Sequence, residues 1–297
     1  MIRSMTGFGT AAGMLGRPDV GLVTMTEMVD NATRIADASD LPLIADADNG
    51  FGGPLNVRRA IQLYERGGVA AVHLEDQVLP KRCGHIGGKA LIPASEMIGK
   101  LRMARAVASD LGNDDFVVIA RTDGVSAVDA PEPARGLELA VERALRYLDT
   151  GIPDLVWCEF PTSERGPVES FAAQVHDRFP EARFAFNWSS SFKWFNDASP
   201  ITFDELGELG YRFVFITLGA QHAEGWGLSQ LLREMAEGRE QGYVALQRRE
   251  WDESLDVPTR SHHLFSGVPY HHLMGKAYDA ARLGGEFVEE LPEDRVV

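Results

Sequence analysis

Six short apolar runs recur along the chain, five of them followed by a helical pattern and each closing on a polar or ionisable residue. The runs fall at 43–47, 70–74, 116–120, 154–158, 184–186 and 213–216. They are apolar throughout rather than alternating, as strands covered on both faces are. Helical spacing of apolar residues occupies 57–66, 94–109, 137–148, 168–177 and 228–237. Alternation of strand and helix predicts a parallel sheet. The runs end, in order, at Asp46-Ala47-Asp48, Glu75-Asp76-Gln77, Arg121-Thr122-Asp123, Glu159, Asn187 and Thr217. Ordinary loops would favour Gly, Asn and Ser. Repeated carboxylates with an arginine match the mouth of a (β/α)8 barrel, where the strand C-termini carry the chemistry. We therefore expect an α/β fold, a TIM-type barrel, as a single domain over 1–297 with 239–297 as a C-terminal helical lid extension. Residues 1–6 supply the end of one more strand. The barrel is thus expected to lack its first strand and helix.

Composition narrows the function. The net charge is −15, and no long Lys/Arg run provides the basic patch that a phosphate backbone needs. Nucleic acid is not an expected partner. The two cysteines, Cys83 and Cys158, make no disulfide framework. No apolar run of membrane-spanning length and no signal peptide is read, so no membrane partner and a cytoplasmic location are expected. The acidic stretch 286–294 reads as a solvated terminus.

Asp46 and Asp48 stand two apart, so on a strand they share a face. Glu75 ends the next run. Carboxylates gathered at one point repel one another unless a cation lies between them, and oxygen ligands suit Mg2+ or Mn2+. A lone Asp-x-Asp is more often a capping pair; Glu75 and Arg121 on neighbouring strands favour the metal. The glycine-rich 49–54 lacks the Lys-Ser/Thr of a phosphate loop and reads as a tight turn into a helix. Lys81-Arg82-Cys83-Gly84-His85 sets a thiol beside two cations and an imidazole. Nearby positive charge is expected to lower its pKa. Gly84, Gly87 and Gly88 would let the segment move as a lid.

The segments 46–53, 75–77 and 81–89 resemble the isocitrate lyase and 2-methylisocitrate lyase group of the phosphoenolpyruvate mutase superfamily. Lys-Arg-Cys-Gly-His is that group's signature, and the likeness runs from about 6 to about 285. It implies a (β/α)8 barrel, Mg2+ dependence and a homotetramer with helices exchanged between neighbours. Asn187-Trp188-Ser189-Ser190-Ser191-Phe192-Lys193-Trp194 resembles the isocitrate lyase segment Asn-Cys-Ser-Pro-Ser-Phe-Asn-Trp. The resemblance assigns a substrate carboxylate to Asn187, Ser189, Ser191 and Thr217. It assigns the glyoxylate end to Thr6, Gly7 and Phe8, with Gly84 also at the substrate. Asp19 maps to a carboxylate near the metal, and Glu159 to an acidic active-site position.

Three departures stand out. Ser4 occupies the place of a tyrosine considered as a base. Trp188, Ser190 and Lys193 replace Cys, Pro and Asn. The family's first strand and helix, and an insertion of the longer bacterial enzymes, are absent.

The expected reaction is the retro-aldol cleavage of the tricarboxylate isocitrate to glyoxylate and succinate, the step of the glyoxylate bypass. Asp46, Asp48, Asp19 and Glu75 would serve the metal, Arg121 a carboxylate and Cys83 the proton, with His85 tuning the thiol. The alternatives are 2-methylisocitrate cleavage or a non-catalytic paralogue. The pairs His262-His263 and His271-His272 lie in or beside 259–270, which resembles a segment folding over the active site.

Overall fold

The computed structural model describes residues 2–128 and 135–283, the side chains of 277–283 excepted, so the acidic stretch 286–294 lies outside the described residues. The chain divides into two compact units, Met1–Gly219 and Ala220–Val297. In the first, strands β1 (Arg3–Met5), β2 (Leu43–Asp46), β3 (Ala71–Glu75), β4 (Val117–Thr122), β5 (Leu155–Cys158), β6 (Phe184–Asn187) and β7 (Tyr211–Phe215) form one sheet. They are hydrogen-bonded in chain order and all pairs are parallel. Sequential parallel order with the usual twist gives a nearly closed barrel, with β1 and β7 as its two edges. The six expected strands are present, shifted at their ends by a residue or two, and residues 3–5 supply a seventh.

Helix α1 (Gly7–Thr10) starts at the barrel mouth, and α2 (Met25–Asp37), α3 (Pro54–Arg66), α4 (Ala94–Asp110), α5 (Gly136–Leu148), α6 (Arg165–His176) and α7 (Phe203–Glu208) follow the strands around the outside. Three of these, α1, α2 and α7, were not among the expected helices. The last two begin with a capping box, Thr24 with Glu27 and Thr202 with Glu205. That signature is readable in sequence, and each such cap is worth ~1 kcal/mol. The glycine-rich turn does lead into α3, with Gly53 as its cap and Pro54 at its first turn.

Alternation along each strand sorts the side chains. Ile44, Ala71, Ile119, Trp157 and Ala185 fill the barrel interior. Leu43, Ala45, Val72, Leu74, Val118 and Ala120 point outward into the layer shared with the helices. Both faces are dry, which is why the runs read as continuously apolar. Helix α3 meets that layer with Val57, Ala60, Ile61 and Tyr64, spaced as one helical face. Fully burying a Val or Ile contributes ~1.5–3 kcal/mol, so this face seats the helix. Tyr64 also donates its hydroxyl to the Asp46 carbonyl at 2.8 Å, fixing the end of β2.

The second unit is helical where described. Its elements are α8 (Gly219–Gly238), which starts at the boundary, α9 (Glu240–Glu250), α10 (His262–Phe265) and α11 (Val268–Leu283). Among the described residues no helix is long and apolar enough to cross a membrane.

Candidate active site

Strand ends deliver the site. By the alternation that buries Ile44, Ile119 and Trp157 inside, Asp46, Arg121 and Glu159 stand at the mouth two residues further on. Pairing sets Asp46 opposite His73, Glu75 opposite Arg121, and Arg121 opposite Trp157. A cavity of about 50 Å³, room for a few waters, is lined by Thr6, Gly7, Phe8, Asp19, Asp46 and Glu75 on one side. Cys83, Gly84, His85, Arg121, Glu159, Asn187 and Thr217 complete most of its wall. Of the expected site residues, Asp48, Ser189 and Ser191 are not in the wall. Asp48 is buried behind it, Ser189 is buried under His85, and Ser191 is exposed.

The acidic side is organised by Lys81. Its buried Nζ lies 2.7 Å from Asp19 and 2.5 Å from Asp48. Strand β2 ends at Asp46, so Asp48 does not share its face by strand alternation. A left-handed backbone at Asp48 (φ 47°) instead turns its N–H back onto the Asp46 carboxylate at 2.9 Å. Asp46 also accepts from the Gly7 N–H at 2.8 Å. A Cβ on Gly7 would lie 2.9 Å from both the Asp46 carboxylate and the Lys81 ammonium, so the approach demands glycine. Burial pushes Asp46 up, but His73, Lys81 and Arg121 outweigh it and hold this carboxyl at about 2. Burial, helped by the charges of Asp46 and Asp19 and opposed by Lys81, lifts Asp48 to about 7. Burial likewise raises Glu75 well above the carboxylate range, despite Arg121 and Lys81.

Among the described residues no three His, Cys, Asp or Glu side chains close into a cation cage. The ammonium of Lys81 takes the central position. The donor set nonetheless fits a hard divalent ion: four buried carboxylates face one region, and Glu75 Oε1 has no hydrogen-bond partner. Asp19, Asp46, Asp48 and Glu75 are therefore the residues that could hold it.

Across the mouth, Arg121 lies over the Trp157 ring at 4.4 Å and donates to both oxygens of Asp123, at 2.9 and 3.0 Å. Its Nη1 lies 3.6 Å from Glu75 and its Nη2 4.0 Å from Glu159. His85 Nε2 sits 3.0 Å from Glu159 and 2.8 Å from the Ser189 hydroxyl. Asn187 donates to Glu159 at 3.1 Å and accepts from the Thr217 hydroxyl. Burial opposes the charge on Glu159, yet Arg121 and His85 keep its pKa below the usual value.

The Cys83 thiol corrects one expectation. Burial pushes it up, and the nearby Asp19 adds to the rise, against a backbone hydrogen bond at His85 and the charge of Arg121. The flanking cations do not lower it because each is engaged elsewhere. Lys81 pairs with Asp19 and Asp48, and the exposed Arg82 donates to the Gly87 carbonyl at 3.1 Å. Gly84 packs so tightly that a Cβ there would lie 2.5 Å from Arg121 Nη2.

Sequence reasoning missed His73, Trp157 and Phe215, which also line the cavity. Each stands two residues before a strand-ending polar group, Glu75, Glu159 or Thr217, and that spacing was the available signal. Burial lowers the His73 pKa to about 4, against the pull of Asp46. Ser4, in the position of the family's tyrosine, pairs in register with Ile44 and does not line the cavity.

Residues 4–230 match the family described as phosphoenolpyruvate phosphomutase. The isocitrate lyase of Haloferax volcanii is 44% identical over 264 residues, covering 89% of this chain and 73% of that one. The 2,3-dimethylmalate lyase of Eubacterium barkeri is 45% identical over 160 residues, 54% of this chain and 52% of its own length. The chain thus spans about three quarters of the first relative and about half of the second. A crystal structure of 2,3-dimethylmalate lyase superposes with a TM-score of 0.72 at 30% identity, over 96% of this chain and 86% of that one. The likeness covers the strands, the rim carboxylates and the cysteine turn together, and on that breadth the chain belongs to the phosphoenolpyruvate mutase/isocitrate lyase superfamily, which includes carbon–carbon lyases.

Proposed function

We propose that the protein cleaves isocitrate to glyoxylate and succinate by retro-aldol chemistry. One observation carries this reading. The Cys83–Gly84–His85 turn, the carboxylates Asp19, Asp46 and Glu75, Arg121 and the Asn187–Thr217 pair all line a single cavity, with Asp48 buried behind it. A divalent cation, Mg2+ or Mn2+, bound among Asp19, Asp46, Asp48 and Glu75 would polarise the substrate hydroxyl and stabilise the charge developing on its oxygen. Thr6, Gly7 and Phe8 enclose the glyoxylate end. The Arg121 guanidinium offers a fixed fork to a carboxylate whose negative charge grows as the bond breaks. Asn187 and Thr217, with Ser189 behind them, offer neutral donors to the distal carboxylate. A base takes the hydroxyl proton, the C=O of glyoxylate forms as the carbon–carbon bond breaks with its electron pair left on the succinate half, and Cys83 gives its proton to that carbanionic carbon. A thiol kept protonated by its burial suits this role as general acid. Glu159 and Ser189 hold the His85 ring beneath that turn.

The test is glyoxylate release from isocitrate with Mg2+. Wild type should be active and Cys83→Ser should lose ~10²-fold or more, the range for a general acid. Near-normal turnover by the serine variant would remove the proton-donor role. Full activity in excess chelator would remove the metal.

A second reading is favoured by one placement. Ser191 is exposed and the Ser189 hydroxyl is engaged by His85, which leaves Asn187 and Thr217 as the distal donors in the cavity wall. Trp157 and Phe215 line the same space. A substrate with a methyl group, such as 2-methylisocitrate, is the alternative, and a methyl is worth only ~1–3 kcal/mol. The ratio of kcat/KM on the two acids decides between them. Absence of turnover on either would favour a non-catalytic paralogue.

We further propose a homotetramer that exchanges helices. Its support is the row of exposed large apolar residues in the second unit, Trp226, Leu228, Leu232 and Met235 on α8 with Tyr270, Leu273 and Met274 on α11.

A further inference from the structure

The cysteine turn leaves the barrel between two paired segments. Val78 donates to the Ala90 carbonyl at 2.9 Å, and Gln77 bridges to Leu91. Gln77 also grips the Arg82 backbone twice, accepting from its N–H and donating to its carbonyl, both at 2.9 Å. Beyond Arg82 this grip ends. The tip carrying Cys83, Gly84 and His85 is held to the barrel through the His85 ring, by Glu159 and Ser189, and by two further bonds of its backbone. Cys83 donates to the Asp19 carbonyl at 3.1 Å, and the Gly84 carbonyl accepts from Lys89 Nζ at 2.5 Å.

Lys89 is 1% exposed. Its ammonium also donates to Asp123 Oδ1 at 2.9 Å, and Asp123 is the carboxylate that receives Arg121 through both oxygens. A buried ammonium is tolerated only where it is paired, so Asp123 dictates where Nζ sits. Because Nζ has a second bond to the Gly84 carbonyl, Asp123 also dictates the height of the cysteine turn. One carboxylate thereby ties the position of the arginine to that of the cysteine turn. We infer that Lys89 is a positioning residue that latches the Cys83–Gly84–His85 turn over Arg121 through Asp123. Lys89 does not line the cavity, so its effect passes through the backbone of Gly84.

This inference rests on the proposed role of Cys83 in catalysis, but its test needs no substrate. The full-length, ligand-free protein is treated with iodoacetamide and the modified cysteines are located by mass spectrometry, with buried Cys158 as the internal reference. In Lys89→Gln, Cys83 should be alkylated ~10-fold faster than in wild type, because a released turn exposes its thiol. Cys158 should stay unmodified, and Lys89→Arg should restore part of the protection. With isocitrate and Mg2+, Lys89→Gln should lose ~10²-fold in kcat, as expected for a misplaced reacting group, while KM stays within about threefold. An unchanged Cys83 alkylation rate in Lys89→Gln overturns the latch. Should that variant unfold, amide exchange of the unsubstituted protein decides. The amides of Cys83 and Ile86 should exchange as slowly as that of Arg82, and exchange at the rate of a free loop overturns the proposal. Faster alkylation in the variant together with no isocitrate cleavage by wild type would leave the latch standing and sink the lyase reading alone.

Discussion

The two sides of the barrel mouth are built from different forces. On one, Asp19, Asp46, Asp48 and Glu75 crowd around Lys81, and charge decides everything. On the other, Asn187, Ser189, Thr217 and His85 form a chain of hydrogen bonds in which Glu159 is the one carboxylate. Carboxylates in a low-dielectric site are stable only with a counter-ion, so the first side is poised to exchange an ammonium for a metal. Hydrogen-bonding groups that already satisfy one another lose little when they turn to a ligand, so the second side is poised to re-pair. The contrast assigns cation work to the first and recognition to the second.

That contrast can be broken by substitution. Asp46→Asn should have the largest effect. It removes a rim carboxyl that His73, Lys81 and Arg121 keep ionised, and kcat/KM should fall ~10³-fold or more, the several kcal/mol that charge stabilisation by a metal supplies. Calorimetry should show Mg2+ binding weakened in parallel; unaltered metal affinity would move the cation elsewhere. Asn187→Ala should cost ~10²-fold, mostly in KM, since it strips hydrogen bonds from binding and leaves Glu159 and Thr217 short of a partner. A loss confined to kcat would place Asn187 in the chemistry instead.

The pH dependence sharpens the same division. Asp48 is lifted to about 7, so below that pH its proton must leave before a cation can bind. Mg2+ affinity should weaken by at least ~10-fold per pH unit as pH falls below 7, and Glu75, also raised by its burial, pulls in the same direction. An affinity flat from pH 5 to 8 would exclude Asp48 from the ion's ligands. The smallest effect belongs to Ser191→Ala. Its side chain is exposed, and surface changes usually stay within about 0.5 kcal/mol, so kcat/KM should change by less than ~2-fold. A tenfold loss would mean that the serine turns inward when substrate binds.

Much of this is legible in the sequence. Strand-ending residues on a barrel rim identify themselves, and Asp46, Glu75, Arg121, Glu159, Asn187 and Thr217 were read that way. Inward residues one step down were hidden because both faces of these strands are apolar. His73, Trp157 and Phe215 emerge only when one counts back two from each polar end. The thiol misled for another reason. Lys81 and Arg82 are neighbours of Cys83 in sequence, but electrostatics follows distance, and their charges are spent on Asp19, Asp48 and the Gly87 carbonyl.

The amino-acid order by itself determined the barrel, its strand and helix alternation and the chemistry presented at its mouth, because strand periodicity and local propensity act over a few residues. Only the tertiary structure decided which groups pair across that mouth: Lys81 at the centre of the carboxylates, Asp123 shared by Arg121 and Lys89, Ser189 bound to His85. Those partners lie far apart in the chain, and which of them meet depends on how seven strands register around a barrel.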